Sequence, residues 1–119
     1  MDTLGFLQRV LPSEGYYVSI VVNPDGRKQG FFQTIEELAT ACKRLDRAGN
    51  NTYFAISSFC TKENRKQENV NKTKVIAIDV DCGNGKPFAD WREGLKALQD
   101  YIIRMKLPKP MVVSSGNGP

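Results

Sequence analysis

The segment VIAIDVD (75–81) places two carboxylates, Asp79 and Asp81, at the end of an otherwise apolar run. The run is β-prone, whereas Asp is depleted from strands and almost never buried unpaired. Side chains alternate along a strand, so Ile76, Ile78 and Val80 would share one face and Ala77, Asp79 and Asp81 the other. The backbones of Asp79 and Asp81 would then sit roughly 6.6 Å apart, two strand rises, and their carboxylates could converge on one point. Charges so placed repel unless a cation lies between them. A hard divalent ion, Mg2+ or Mn2+, meets that need with oxygen ligands and leaves positions open for phosphate oxygens. The competing reading is a pair of exposed, turn-initiating aspartates.

The residues beyond the two aspartates predict a strand–helix–strand unit. CGNGKP (82–87) is turn-forming, and Asp90 opens a helix with Glu93 as its capping-box partner. Trp91, Leu95, Leu98, Ile102 and Met105 recur at helical spacing and predict a core-facing stripe, with Trp91 packed inside. Pro108 and Pro110 end the helix, and MVVSS (111–115) reads as a second strand. A crossover of this length joins parallel neighbours with right-handed connection. Ser115, Gly116, Asn117 and Gly118 would then leave their strand beside Asp79 and Asp81. Glycines there let backbone N–H groups approach a phosphate, and the Ser115 hydroxyl can donate to it.

The first part of the chain predicts a separate α/β module. Leu4, Leu7, Val10 and Leu11 have helical spacing, stopped by Pro12. YYVSIVV (16–22) reads as a strand running into an Asn-Pro-Asp-Gly turn, with FFQ (31–33) as a short return strand. Thr34 opens a capping box with Glu37, and Ile35, Leu38, Cys42 and Leu45 form one face of a helix ending near Gly49. TYFAISSF (52–59) is a third strand. Residues 61–74 hold five basic and two acidic side chains and one apolar residue, and read as a long polar connection. That connection is either a solvated loop or a basic loop beside a nucleic-acid path. The expected architecture is α/β (an α+β two-layer fold) with a mixed sheet.

At 119 residues, with 40% hydrophobic and 25% charged side chains, the chain is of globular composition and long enough for one domain. No apolar run approaches the ~20 residues of a membrane span. The opening MDTLGFLQRVLP is not a secretion signal. Cys42, Cys60 and Cys82 are odd in number and widely spaced, which argues against a disulfide framework; with no histidine, it also argues against structural zinc. Reduced thiols in a cytoplasmic protein are expected. The net charge of +4 lies wholly in residues 61–119, which carry eleven basic and seven acidic side chains. A basic surround to an acidic pair suits phosphate handling through a metal.

D-V-D-C-G-N-G-K-P, an amphipathic helix, then V-V-S-S-G-N-G-P resembles the archaeo-eukaryotic primase superfamily, most nearly the primase-polymerases of phages, plasmids and other mobile elements. FFQTIEELA and YFAISSF also resemble that family's N-terminal module. The resemblance implies an N-terminal α/β module over 1–73 and, over 74–119, the first strand–helix–strand of a catalytic module of RNA-recognition-motif type. It implies Asp79 and Asp81 as catalytic metal ligands for Mg2+ or Mn2+. Ser115, Gly116, Asn117 and Gly118 would hold triphosphate oxygens, and Lys86 would contact phosphate or template. The implied partners are nucleoside triphosphates, a DNA template and a replicative helicase. The family pattern also calls for a histidine directly after Pro119 and a later third carboxylate. Neither is among these residues, so the chain is expected to be the N-terminal portion of the catalytic domain and inactive by itself.

Two other readings compete. In a phosphohydrolase of the haloacid dehalogenase type, Asp79 would be the nucleophile and Asp81 the general acid. Cys82-Gly83 in place of Gly-Thr, and a motif far from the N-terminus, count against it. A non-catalytic module that binds nucleic acid or a replication partner is the third reading.

Overall fold

The computed structural model describes residues 1–113. Asp2 begins the first helix: its carboxylate accepts the Gly5 N–H at 2.8 Å, and α1 runs over Thr3–Val10. Leu7 and Val10 of α1 are buried, with Leu11 behind them. The chain returns as β1 (Tyr17–Asn23), turns at Asn23–Gly26 and pairs antiparallel with β2 (Gly26–Phe32). Gly26 has φ +127, a conformation that suits glycine at this tight connection.

The predicted cap at Thr34 forms, with the return bond from Glu37 reaching one residue before it. Thr34 Oγ1 accepts the Glu37 N–H at 3.1 Å, and the Glu37 carboxylate accepts the Gln33 N–H at 3.2 Å. Helix α2 (Ile35–Arg47) lays Leu38 and Ala39 against Leu7, Val10, Leu11 and Tyr17, the first of two cores. Beyond α2, β3 (Asn51–Phe54) pairs antiparallel with β1, giving a three-stranded sheet in the order β2-β1-β3.

The second core lies on the other sheet face. Val18 and Ile20 meet Phe59, flanked by Phe31, Ala55 and Val70. Phe59 belongs to β4 (Ser57–Phe59), which pairs antiparallel with β5 (Val70–Thr73). The fold is therefore α+β, the predicted class, and both sheets among the described residues are antiparallel. Among the described residues no helix is long and apolar enough to cross a membrane.

By internal contacts the chain divides into two units, Met1–Ile76 and Ala77–Pro119. In the second, Asp90 caps α3 (Trp91–Met105), its carboxylate accepting the Glu93 N–H at 3.0 Å while Glu93 accepts the Ala89 N–H at 2.8 Å. Lys106, at φ 55, closes the helix before Pro108.

Five expectations differ from what forms. The run 52–59 is two strands rather than one: the regular ladder with β1 ends at Phe54, leaving an Ala55 N–H bond to Val18 O at 3.1 Å and a Tyr16–Phe59 bridge, and Ser57–Phe59 finds a new partner. That partner lies inside the predicted polar connection, whose residues 70–73 are β5. The expected strand at 75–81 does not form: these residues are irregular, with Ile76 91% exposed. Met111–Val113 is irregular too, so no parallel ladder joins the two runs among the described residues. A strand stands only on a neighbour's N–H and C=O groups, and without that ladder the alternation argument for 75–81 loses its basis. Lastly, Trp91 is 41% exposed, with the Arg92 guanidinium 5.4 Å from its ring centre. The α3 stripe is half-covered at Leu95, Leu98 and Ile102 and open at Met105.

Candidate functional site

Asp79 and Asp81 are exposed, while Val80 and Cys82, which alternate with them, are half-buried. The cause is a close seat on α3. A Cβ on Gly94 would stand 2.7 Å from both Val80 Cγ1 and Cys82 Sγ, so only glycine lets 80–82 lie this near the helix. The in-and-out order expected of a strand thus survives over 79–82, held by helix packing rather than by a ladder.

The turn after Asp81 is closed by its own backbone. Gly83 N–H donates to Phe88 O at 2.9 Å, Lys86 N–H donates to Gly83 O at 3.1 Å, and Cys82 bridges to Phe88. Gly83 (φ +130) and Gly85 (φ +77) take the conformations that fold the turn back. The Lys86 ammonium is thereby brought to 3.5 Å from Asp81 Oδ2, with both side chains half-exposed. The structure therefore brings Lys86 to Asp81, with Asp79 exposed two residues before it in the sequence. Ser115, Gly116, Asn117 and Gly118 lie outside the described residues.

Exposed carboxylates are hard oxygen donors, which suits Mg2+ or Mn2+ by chemistry. The two donors sit on one short segment, and Asp81 already faces an ammonium. Among the described residues no group of three or more Asp, Glu, Cys or His side chains could hold a metal ion. The described residues thus fit part of a ligand set. Chemically they can bind a cation or, through Lys86 and the glycine turn, a phosphate oxygen.

Sequence reasoning misses two features. Gly94 lies within the apolar stripe and reads as an ordinary helical residue, although glycine inside a helix is itself a signal of close approach. Asn69, in the expected polar connection, is a hub. Its Oδ1 accepts from Thr61 N–H at 3.1 Å and Oγ1 at 2.9 Å, and its Nδ2 donates to the carbonyls of Thr61 and Asn64 at 3.0 and 2.8 Å. A shallow cavity of about 400 Å3 opens in the first unit beside Gln8, Ser13, Thr34 and Lys74; neither aspartate nor Lys86 lines it.

No family model, no curated protein and no solved structure matches this chain.

Proposed function

We propose that this chain carries the opening part of the nucleotidyl-transfer centre of a cytoplasmic primase-polymerase, acting on nucleoside triphosphates and a DNA template. The observation that carries the reading is the exposed pair Asp79 and Asp81, seated on α3 and followed by a glycine turn that returns Lys86 to Asp81. In the proposed centre Asp79 and Asp81 hold a divalent ion, which would lower the pKa of the attacking 3′-hydroxyl and neutralise charge at the α-phosphate and leaving pyrophosphate. Lys86 meets triphosphate oxygens as a point charge. Ser115 and the backbone of residues 116–118 hold further phosphate oxygens. The half-buried Val80 and Cys82 fix the segment so that both carboxylates face outward.

The reading requires a histidine and a third carboxylate that these 119 residues do not supply. The test therefore uses the full-length gene product. Template-dependent synthesis with Mg2+ or Mn2+ is expected from that protein, and Asp79→Ala with Asp81→Ala is expected to abolish it. Undiminished synthesis by the double variant overturns the assignment.

A further inference from the structure

The register of the three-stranded sheet places one set of side chains on a face that β4 and β5 cover only in part. Ile20 of β1 stands opposite Gln29 of β2 and Tyr53 of β3, and Val22 stands opposite Arg27 and Asn51. Directly paired residues share a face. At the other end of this face, Val18 and Phe31 are closed over by Phe59 and Val70. At the near end Tyr53 is 56% exposed, and Arg27, Gln29 and Asn51 are exposed with it.

A second element delivers charge to this end. The loop 61–69, tied internally by Asn69, reaches the sheet through Arg65, whose Nε donates to Gln29 Oε1 at 2.8 Å. A neutral amide partner leaves the guanidinium charge uncompensated. Among the described residues neither Arg27 nor Arg65 has a carboxylate within 4.0 Å, whereas Lys72 is paired with Glu14 at 3.0 Å. Lys62 and Lys66 flank Arg65 on the loop, giving three cations there against Glu63 and Glu68.

An exposed tyrosine on β3 and two arginines at β2, across the same sheet face with β1 between them, are the two parts that single strands require. A base stacks on the ring whatever its identity, and phosphates meet the planar guanidinium forks. A duplex keeps its bases stacked inside and offers the ring nothing. We propose that the open end of this sheet face binds single-stranded nucleic acid, with a base on Tyr53 and phosphates on Arg27 and Arg65. The inference does not rest on the nucleotide-transfer reading, since it needs neither divalent ion nor nucleoside triphosphate.

The test is fluorescence anisotropy of a labelled oligothymidylate at low salt, with chelator present and no nucleotide. The parent chain is expected to bind, with Tyr53→Phe retaining the affinity and Tyr53→Ala weakening it about five- to a hundred-fold. Arg27→Ala with Arg65→Ala is expected to flatten the dependence of log affinity on log salt by about 1.4. All of these side chains are exposed, and matching circular dichroism and melting curves verify that the variants fold. Three results overturn the proposal: no binding, binding indifferent to both the Tyr53 and the arginine changes, or equal affinity for duplex DNA or polyglutamate. If the gene product lacks nucleotide transfer while this binding persists, the transfer reading falls and the present one stands.

Discussion

Gly94 and Val80 meet so closely that a Cβ on Gly94 would stand 2.7 Å from Val80 Cγ1. The segment bearing Asp79 and Asp81 is seated on α3 by this contact and by the matching one to Cys82. Alanine is the better helix former by about 1 kcal/mol, so Gly94→Ala should leave α3 intact while pushing residues 80–82 outward. The half-buried Cys82 thiol reports the shift. In a Cys60→Ser background, Gly94→Ala is expected to speed alkylation of Cys82 several-fold at unchanged helix content. A parent-like rate at Cys82 would mean that the segment is not seated there.

In the first unit Gly15 and Ser58 share a comparable contact. Gly15 has φ +110, and a Cβ there would come within 2.7 Å of Ser58 Oγ. Ser58 is fully buried, and its hydroxyl has no hydrogen-bond partner. Gly15→Ala combines backbone strain with overpacking and should lose roughly 2–4 kcal/mol. Ser58→Ala removes an unpaired buried hydroxyl and should be neutral or stabilising by up to about 1 kcal/mol. Urea unfolding midpoints separate the two. A strongly destabilised Ser58→Ala would show that the hydroxyl does have a partner.

Tyr17 links the start of β1 to the turn after α1. Its hydroxyl, buried among core residues, donates to the Pro12 carbonyl at 2.6 Å. Burial first, then the charges of Glu36 and Glu14, raise its pKa above the ordinary 10.0. Above that ordinary value the unfolded chain releases the phenolic proton while the folded chain keeps it, so stability falls as pH rises. Stability followed from about pH 9 to about pH 11 should decline in the parent more steeply than in Tyr17→Phe. Tyr17→Phe should itself lose about 1–2 kcal/mol at neutral pH, because the Pro12 carbonyl is left without its donor. Parallel pH curves for the two proteins would remove Tyr17 as the cause.

Where a signal is local, the sequence carries it in full. Thr34 with Glu37 and Asp90 with Glu93 cap the predicted helices, and the apolar pattern of YYVSIVV yields β1. Pairing is not a local property. Val70–Thr73 reads as linker because three of its four side chains are polar, yet Ser57–Phe59 gives it a ladder. The reverse holds for 75–81, which has the apolar content of a strand and no partner among the described residues. The candidate site is legible in the same uneven way. Asp79, Asp81 and the glycine turn are visible as letters, and the return of Lys86 to Asp81 depends on turn geometry that letters alone do not give. The sheet face of Tyr53, Arg27 and Arg65 is invisible in the sequence, since it depends on the register of three strands and on one hydrogen bond from a loop.

The Lys86–Asp81 pair supplies the sharpest test of the proposed cation site. At 3.5 Å between half-exposed side chains it contributes little to folding, and Lys86→Ala should change stability by no more than about 0.5 kcal/mol. Its effect on binding is larger in consequence, because the ammonium and a divalent ion compete for the same Asp81 carboxylate. Removing the ammonium should therefore tighten Mn2+ binding, by about two- to five-fold if the pair has the usual strength of an exposed ion pair. The same change should weaken binding of a nucleoside triphosphate, which loses a cation. Asp79→Asn and Asp81→Asn should each weaken Mn2+, since each removes one of the two charged donors. Water-proton relaxation by Mn2+ reads all four proteins directly, without activity. If Mn2+ affinity is the same in the parent, Lys86→Ala and both asparagine variants, the two carboxylates are ordinary surface residues, and the transfer reading loses the observation that carries it.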